Sequence, residues 1–343
     1  LNRRILAGAE FCCGALVLKG EVIMMNRRDF IRSMVIGIGA FCLGGWQKLV
    51  RAEDREYYRL VVLGDPHLPV RVLQHPKQSD QQAILAAKNG VIQDINTWDD
   101  ADAVAVVGDI VEQRAVPKEY AYIRQFFGRL TRKLWVINGN HDFLYKDEPK
   151  ANGKPDLADA ASWKRKLEYF RTFWQLPKRW YTKEVGKYHL IFLSAEDGPL
   201  PTAIGTEQLD WLTADLEDHK QAPTLIFFHG PLYKTLLDYS DSVNTKRAIA
   251  MPEDRLHPLL DANPQVMLWV SGHTHTPCTN ASYAAVGINQ YNAHTYDIHN
   301  DCMDRKQITT NSLYLYPDRI EVKTFNHKTG QWMPEFDRKF MVQ

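Results

Sequence analysis

The chain has 343 residues and only five cysteines, too few for a disulfide scaffold of this size. Its formal charge is +1, so the molecule as a whole is not a polyanion-binding surface. It holds no internal repeat and no low-complexity tract. The apolar stretch near the amino terminus falls short of the ~20 residues a membrane-spanning helix needs. What remains is 45% hydrophobic and 24% charged, a composition for one large globular domain or two small ones.

The first fifty residues follow different rules from the rest. Arg27-Arg28-Asp29-Phe30-Ile31-Arg32 precedes an apolar stretch from Met34, and Val50-Arg51-Ala52 closes it. A basic patch, about ten apolar residues and a small-residue end form the pattern of an export signal. The paired arginines resemble a twin-arginine signal, which implies the twin-arginine export machinery as a partner of the precursor and a periplasmic, soluble mature form. An uncleaved membrane anchor is the alternative. Residues 1–23, ahead of Met24-Met25, read as an upstream extension that is not translated. The expected division is a signal region over 1–52 and one domain over 53–343. Residues 1–52 hold eight basic and three acidic side chains, so the remaining 291 carry 34 and 38, a formal charge of −4. All twelve histidines lie in that remainder, with Cys278 and Cys302. In an oxidising compartment those two thiols can pair.

From residue 60 onward, apolar runs alternate with amphipathic segments. Leu60–Leu63, Ala103–Val107, Leu134–Ile137, Tyr188–Leu193, Thr224–Phe228 and Val266–Val270 read as buried strands. Helical spacing of apolar residues follows Ser79-Asp-Gln-Gln82, a capping-box pattern, and follows Pro117; it recurs over 162–173 and 208–216. Residues 312–316 and 319–324 alternate as an antiparallel hairpin around Pro317-Asp318. The stretch 143–187 is looser and reads as an insert that could shape a substrate cleft. After Pro277 a polar loop runs to about Asp304. Strands alternating with helices indicate a sheet covered by helices.

Five of these strand ends carry metal-type side chains: Asp65 with His67, Asp109, Asn140 with His141, His229, and His273 with His275. The carboxyl ends of strands in such sheets are where ligands bind. Glycines at 64, 108, 139 and 272 let the backbone turn and approach an ion closely. The set exceeds the needs of one tetrahedral ion and suffices for two if a carboxylate is shared.

Taken in order, Gly64-Asp65-Pro66-His67, Gly108-Asp109, Gly139-Asn140-His141-Asp142, His229 and Gly272-His273-Thr274-His275 resemble the signature of the calcineurin-like metallophosphoesterases. The resemblance covers about 58–325. It implies an α/β fold of four layers, two mixed β-sheets flanked by helices. It also implies a ligand set, with Asp65, His67 and His275 on one ion, Asn140, His229 and His273 on the other, and Asp109 bridging. His141 would be a catalytic cleft residue and Asp142 would orient its ring. The implied activity is hydrolysis of phosphate esters by a hydroxide bridging two metal ions. Oxygen and imidazole ligands suit Mn, Fe or Zn. Glu112 stands where iron-binding relatives carry a tyrosine, which argues against the purple acid phosphatase branch.

A small phosphoester or phosphorylated substrate is expected, monoester or diester. A cyclic-nucleotide phosphodiesterase and a phosphoprotein phosphatase are the finer alternatives, and a metal-binding protein without catalysis is the non-enzymatic one. A stable nucleic-acid complex is not expected, because no basic stripe appears. Arg114 is a further candidate for a phosphate contact. The other histidines, among them His189 and His219, read as non-ligands.

Overall fold

Alternation along the strands sends successive side chains to opposite faces of a sheet, and here it sorts the interior into separate cores. The computed structural model describes residues 55–342 apart from 197 and 239–242, and two short strands nearer the amino terminus, β1 (Ala15–Leu18) and β2 (Glu21–Met24). These two pair antiparallel in a unit of their own, Leu1–Glu56. The expected signal around Arg27 and Arg28 lies outside the described residues. Among the described residues no helix is long and apolar enough to cross a membrane.

The unit Tyr57–Gln343 contains two sheets. In the first, β3 (Tyr58–Leu63), β4 (Ala101–Val107) and β5 (Lys133–Ile137) run parallel. In the second, β6 (Tyr181–Val185) and β7 (Tyr188–Phe192) form an antiparallel hairpin, and β8 (Thr224–Phe227), β9 (Val266–Ser271) and β10 (Tyr296–His299) continue parallel to β7. The chain then returns to the first sheet. There β11 (Thr309–Leu315) pairs antiparallel with β3 and with β12 (Arg319–Asn326), which also pairs with β13 (Gln331–Trp332) and β14 (Arg338–Met341). Both sheets are therefore mixed.

Leu60, Val62, Ala103, Ala105 and Val107 meet Leu190, Phe192, Leu225, Phe227 and Val270 between the sheets. Val61, Leu63, Val104 and Val106 face the other way, against Val91, Ile92 and Ile95 of α1 (Gln78–Thr97) and Ile123 and Phe126 of α2 (Pro117–Phe127). The insert helix α3 (Ala160–Phe173) places Phe170 in that same outer core and Leu167 in the core behind the second sheet. The latter is completed by Leu209, Leu212 and Leu216 of α4 (Thr206–Asp218) and Leu256 and Leu260 of α5 (Glu253–Asp261), packed on Ile191, Ile226 and Trp269. Four layers result: helices, sheet, sheet, helices. Each fully buried Leu, Ile or Phe contributes about 1.5–3 kcal/mol by leaving water, so the strand runs suffice to fix which face points where.

Two local expectations are corrected. Ser79 does not cap α1, because the amides of Asp80 and Gln81 close on the Lys77 carbonyl and the helix starts at Gln78. The segment read as a polar loop to Asp304 contains α6 (Val286–Asn289) and the buried strand β10.

Candidate metal centre

Every candidate ligand sits just beyond the carboxyl end of a strand, β3, β4 and β5 from one sheet and β8 and β9 from the other. The chain bends hard there. Asp65, His67, Asp109, His273 and His275 all have positive φ, between 41° and 63°, a conformation that non-glycine residues adopt at a cost and that gathers at functional sites. Cross-links between the loops hold it: the His67 amide donates to the Asp109 carbonyl (2.9 Å) and the Gly272 amide to the His229 carbonyl (3.0 Å). Gly139 leaves room for the centre, since a Cβ there would collide with the Asp109 carboxylate and the His229 ring.

Two clusters form, sharing one carboxylate. Asp65, His67, Asp109 and His275 compose the first; Asp109, His229 and His273 compose the second. In the first, Nε2 of His67 faces Nε2 of His275 at 3.1 Å, with Asp65 Oδ1 3.4 Å from His275. In the second, Nε2 of His229 lies 3.2 Å from Nδ1 of His273, 3.3 Å from Asp109 Oδ1 and 3.2 Å from Asn140 Oδ1. Asp65, His67, Asp109, Asn140 and His229 are buried.

Two ring nitrogens that face each other can share only one proton. Nitrogen lone pairs converging on carboxylate and carboxamide oxygens are what a divalent cation satisfies. The donor set thus fits two ions, with Asp109 common to both. The proton affinities show the same pairing. Burial lowers His67, helped by the charges of His141 and Arg71. Burial opposes a proton on its partner His275 too, yet Cys302 and Asp65 hold that ring well above the usual range. Burial and the charge of His229 push His273 down to about 4. On His229 the Asp109 carboxylate overrides burial and raises the ring to about 9. Within each facing pair the two rings are therefore pushed in opposite directions, one away from a proton and the other toward it. Asp109 stays ionised: burial works against it, but the fields of His229 and His141 prevail.

His141 stands beside the clusters, with Nε2 3.8 Å from Asp109 Oδ2 and its amide donating to Asp109 Oδ1 (2.8 Å). The ring is turned by the Glu112 carbonyl, which accepts from Nδ1 at 2.7 Å. This corrects the expectation that Asp142 orients it. The one-turn 3-10 segment Asn140–Asp142 sends the Asp142 carboxylate inward, where it accepts from the amides of Ile110 (3.2 Å), Val111 (3.1 Å) and Gly139 (2.8 Å). Burial and the nearby Asp109 charge raise Asp142 to about 7. Arg114 turns away, its guanidinium on the Asp147 carbonyl.

Several residues around the centre had no sequence signal of their own. The segment Asn300–Arg305 straps its back: the Met303 amide donates to the Gly64 and Asp65 carbonyls, and Arg305 donates to the His275 carbonyl (3.2 Å). Asp304, buried, receives Lys88 (2.8 Å), Arg71 (3.0 Å) and His75 (2.9 Å), and Lys88 also donates to the His67 carbonyl (3.0 Å). Cys278 and Cys302 are both free. The disulfide reading is corrected: the two thiols are not bonded to each other, and Cys302 is buried. From the insert, Tyr145 accepts a hydrogen bond from Asn140 Nδ2 (3.2 Å). A third group, Glu184, His189 and His219, also gathers possible ligand atoms. There the two rings stack in parallel at 3.8 Å, so their nitrogens do not aim at a common point.

A family model described as calcineurin-like phosphoesterase matches residues 58–277. The chain belongs to that family. Among known proteins, this phosphoesterase is similar to glycerophosphodiester phosphodiesterase GpdQ of Enterobacter lignolyticus (strain SCF1), 29% identical over 183 residues. That match covers 51% of this chain and 56% of the relative, so the chain spans little more than half the relative's length. Among solved structures it is similar to a dimetal phosphatase from Danio rerio, with a TM-score of 0.53 and 15% identity over 84% of this chain and 100% of the other. It is likewise similar to the purple acid phosphatase PPD1 from yellow lupin (Lupinus luteus) seeds, with a TM-score of 0.53 and 15% identity over 83% and 54%. At 15% identity these two show the fold alone. Family membership and the two clusters together give a dinuclear metal-binding site consistent with metal-dependent phosphoester hydrolysis.

Proposed function

We propose that this chain hydrolyses small phosphodiesters, using two ions held by Asp65, His67, His275, Asn140, His229 and His273, with Asp109 between them. The observation that carries the reading is the sharing of Asp109 by two clusters of converging ligand atoms. Two ions so held supply Lewis acidity and neutralise charge on a phosphoryl group. The protein does the rest. Asp109 remains ionised under the fields of His229 and His141 and keeps the two clusters in register. Burial lowers the proton affinity of His141, whose Nδ1 is fixed on the Glu112 carbonyl; its Nε2 would contact the phosphoryl group or, when protonated, donate to the leaving oxygen.

Diester preference draws support from the activity that the relative's name states. Hydrolysis of phosphomonoesters is the second reading. Protein loaded in turn with Mn, Fe and Zn, assayed on bis-p-nitrophenyl phosphate and p-nitrophenyl phosphate, decides between them. Faster turnover of the diester is expected. The reverse order installs the monoester reading, and inactivity on both with two ions bound leaves a metal-binding protein.

Export rests on the Arg27-Arg28 segment alone and belongs to the same proposal. Amino-terminal sequencing of protein recovered from the periplasm should start near Glu53; a start at or before Met25 overturns cleavage.

A further inference from the structure

Tyr145 lies in the insert, outside the family's metal-binding pattern, yet its hydroxyl reaches the centre. Asn140 Nδ2 donates to it at 3.2 Å, while Asn140 Oδ1 faces His229. That single acceptor contact leaves the phenolic proton without a partner among the described residues. The ring packs edge-on against His141, with centroids 5.2 Å apart, so the hydroxyl and the His141 imidazole border the same space beside the second cluster.

The position of Tyr145 is fixed from three sides. Its carbonyl accepts from Lys166, a buried residue of α3 that also binds the Arg114 carbonyl and Asp147. Tyr145 bridges to Leu157 as a short antiparallel pair, and the Leu144 amide closes on the Asn140 carbonyl at 2.8 Å. A donor held this firmly needs little reorganisation when charge develops near it, which is what makes such groups effective. The Asn140 amide donating to the phenolic oxygen further polarises the O–H.

We propose that the Tyr145 hydroxyl donates to a non-bridging oxygen of the substrate's phosphoryl group on the Asn140–His229–His273 side, making it a substrate-binding residue of this centre. The proposal rests on the phosphoester reading above. Because the donor is neutral, it serves a singly charged diester without adding a fixed positive charge.

Tyr145→Phe keeps the ring and removes only the donor. In the metal-loaded full chain, kcat/KM for bis-p-nitrophenyl phosphate should fall roughly tenfold to a hundredfold. The inhibition constant for inorganic phosphate should rise with it, while two ions stay bound and the melting temperature holds. Wild-type values for both constants overturn the proposal. So does a loss that follows departure of one ion and is reversed by raising the metal concentration, because Tyr145 would then only prop Asn140. If the wild-type protein turns over neither ester, it is the phosphoester reading that fails; calorimetric titration with inorganic phosphate, unchanged or weakened in Tyr145→Phe, then decides the role of Tyr145 separately.

Discussion

Nε2 of His67 and Nε2 of His275 face each other at 3.1 Å although one follows β3 and the other β9, in different sheets. Nothing but a shared proton or a cation reconciles two imidazole nitrogens so placed, and with Asp65 and Asp109 alongside, the cation is favoured. His275→Ala should therefore lower bound metal from two ions to about one, as expected when one half of a two-ion site is lost. Asp109→Asn removes the shared carboxylate and should deplete both positions, with turnover falling on the order of a thousandfold. Elemental analysis of the two purified variants distinguishes them. Equal metal content in both would mean that Asp109 serves only one cluster.

Asp142 and His141 are neighbours in sequence with separate tasks. The Asp142 carboxylate serves three amides that flank Asp109 and Asn140, so Asp142→Ala strands buried donors and should cost about 3–5 kcal/mol of stability. His141→Ala should leave stability within about 1 kcal/mol and both ions in place, yet slow turnover about a hundredfold. Denaturant titration beside steady-state kinetics checks both. A His141→Ala protein as active as wild type removes that ring from the reaction.

Away from the centre, His189 makes a pH-sensitive clasp. Its Nδ1 meets Glu184 of β6 at 2.5 Å, its Nε2 meets Asp215 of α4 at 2.7 Å, and His219 stacks on its face. Burial opposes the charge, but Asp215 and Glu184 prevail and raise the ring above the usual histidine range. A raised basic group stabilises fully below its unfolded pKa, about 6.5, and the contribution fades as pH climbs through the folded value. Wild type should thus out-melt His189→Gln by most at pH 5.5, and the gap should narrow by pH 8.5. A constant gap across that range would show that His189 acts by packing alone.

The sequence shows its buried strands plainly because Leu60–Leu63, Ala103–Val107 and Val266–Val270 are unbroken apolar runs, and the ligands could be read off because each follows such a run almost directly. β10 is hidden for the opposite reason. Its Tyr-Asp-Ile-His carries a buried carboxylate, Asp297, which is satisfied by the Leu232 amide, Thr235 and Ser271, partners scattered along the chain. Long-range satisfaction leaves no local pattern. β6 carries lysine and glutamate on an edge, and α5 carries Pro258 in its interior, so both weaken their own signals. Asp142 misleads because it adjoins His141 in the chain while a tight turn separates their directions. Tyr145 gives no sign at all in a charged loop; only the fold carries it to Asn140.

Lys88 and Asp304, both buried, tie α1 to the strap behind His67. Breaking a buried pair leaves an uncompensated charge, but the two partners are not equivalent here. Without Asp304, Lys88 keeps only the carbonyls of His67 and Pro69, while Arg71 and His75 lose their acceptor as well. Asp304→Ala should therefore cost about 3–5 kcal/mol. Without Lys88, the carboxylate still has Arg71 and His75, and the methionine of Lys88→Met fills similar space, so that loss should be smaller, about 2 kcal/mol. Because Lys88 also donates to the His67 carbonyl, Lys88→Met should bind its first ion more weakly, whereas the second cluster, which has no bond to Lys88, should be unaffected. Chemical denaturation of both variants and stepwise metal titration of Lys88→Met test this. A larger stability loss in Lys88→Met than in Asp304→Ala would mean that the two backbone carbonyls, and not the carboxylate, are what Lys88 principally holds.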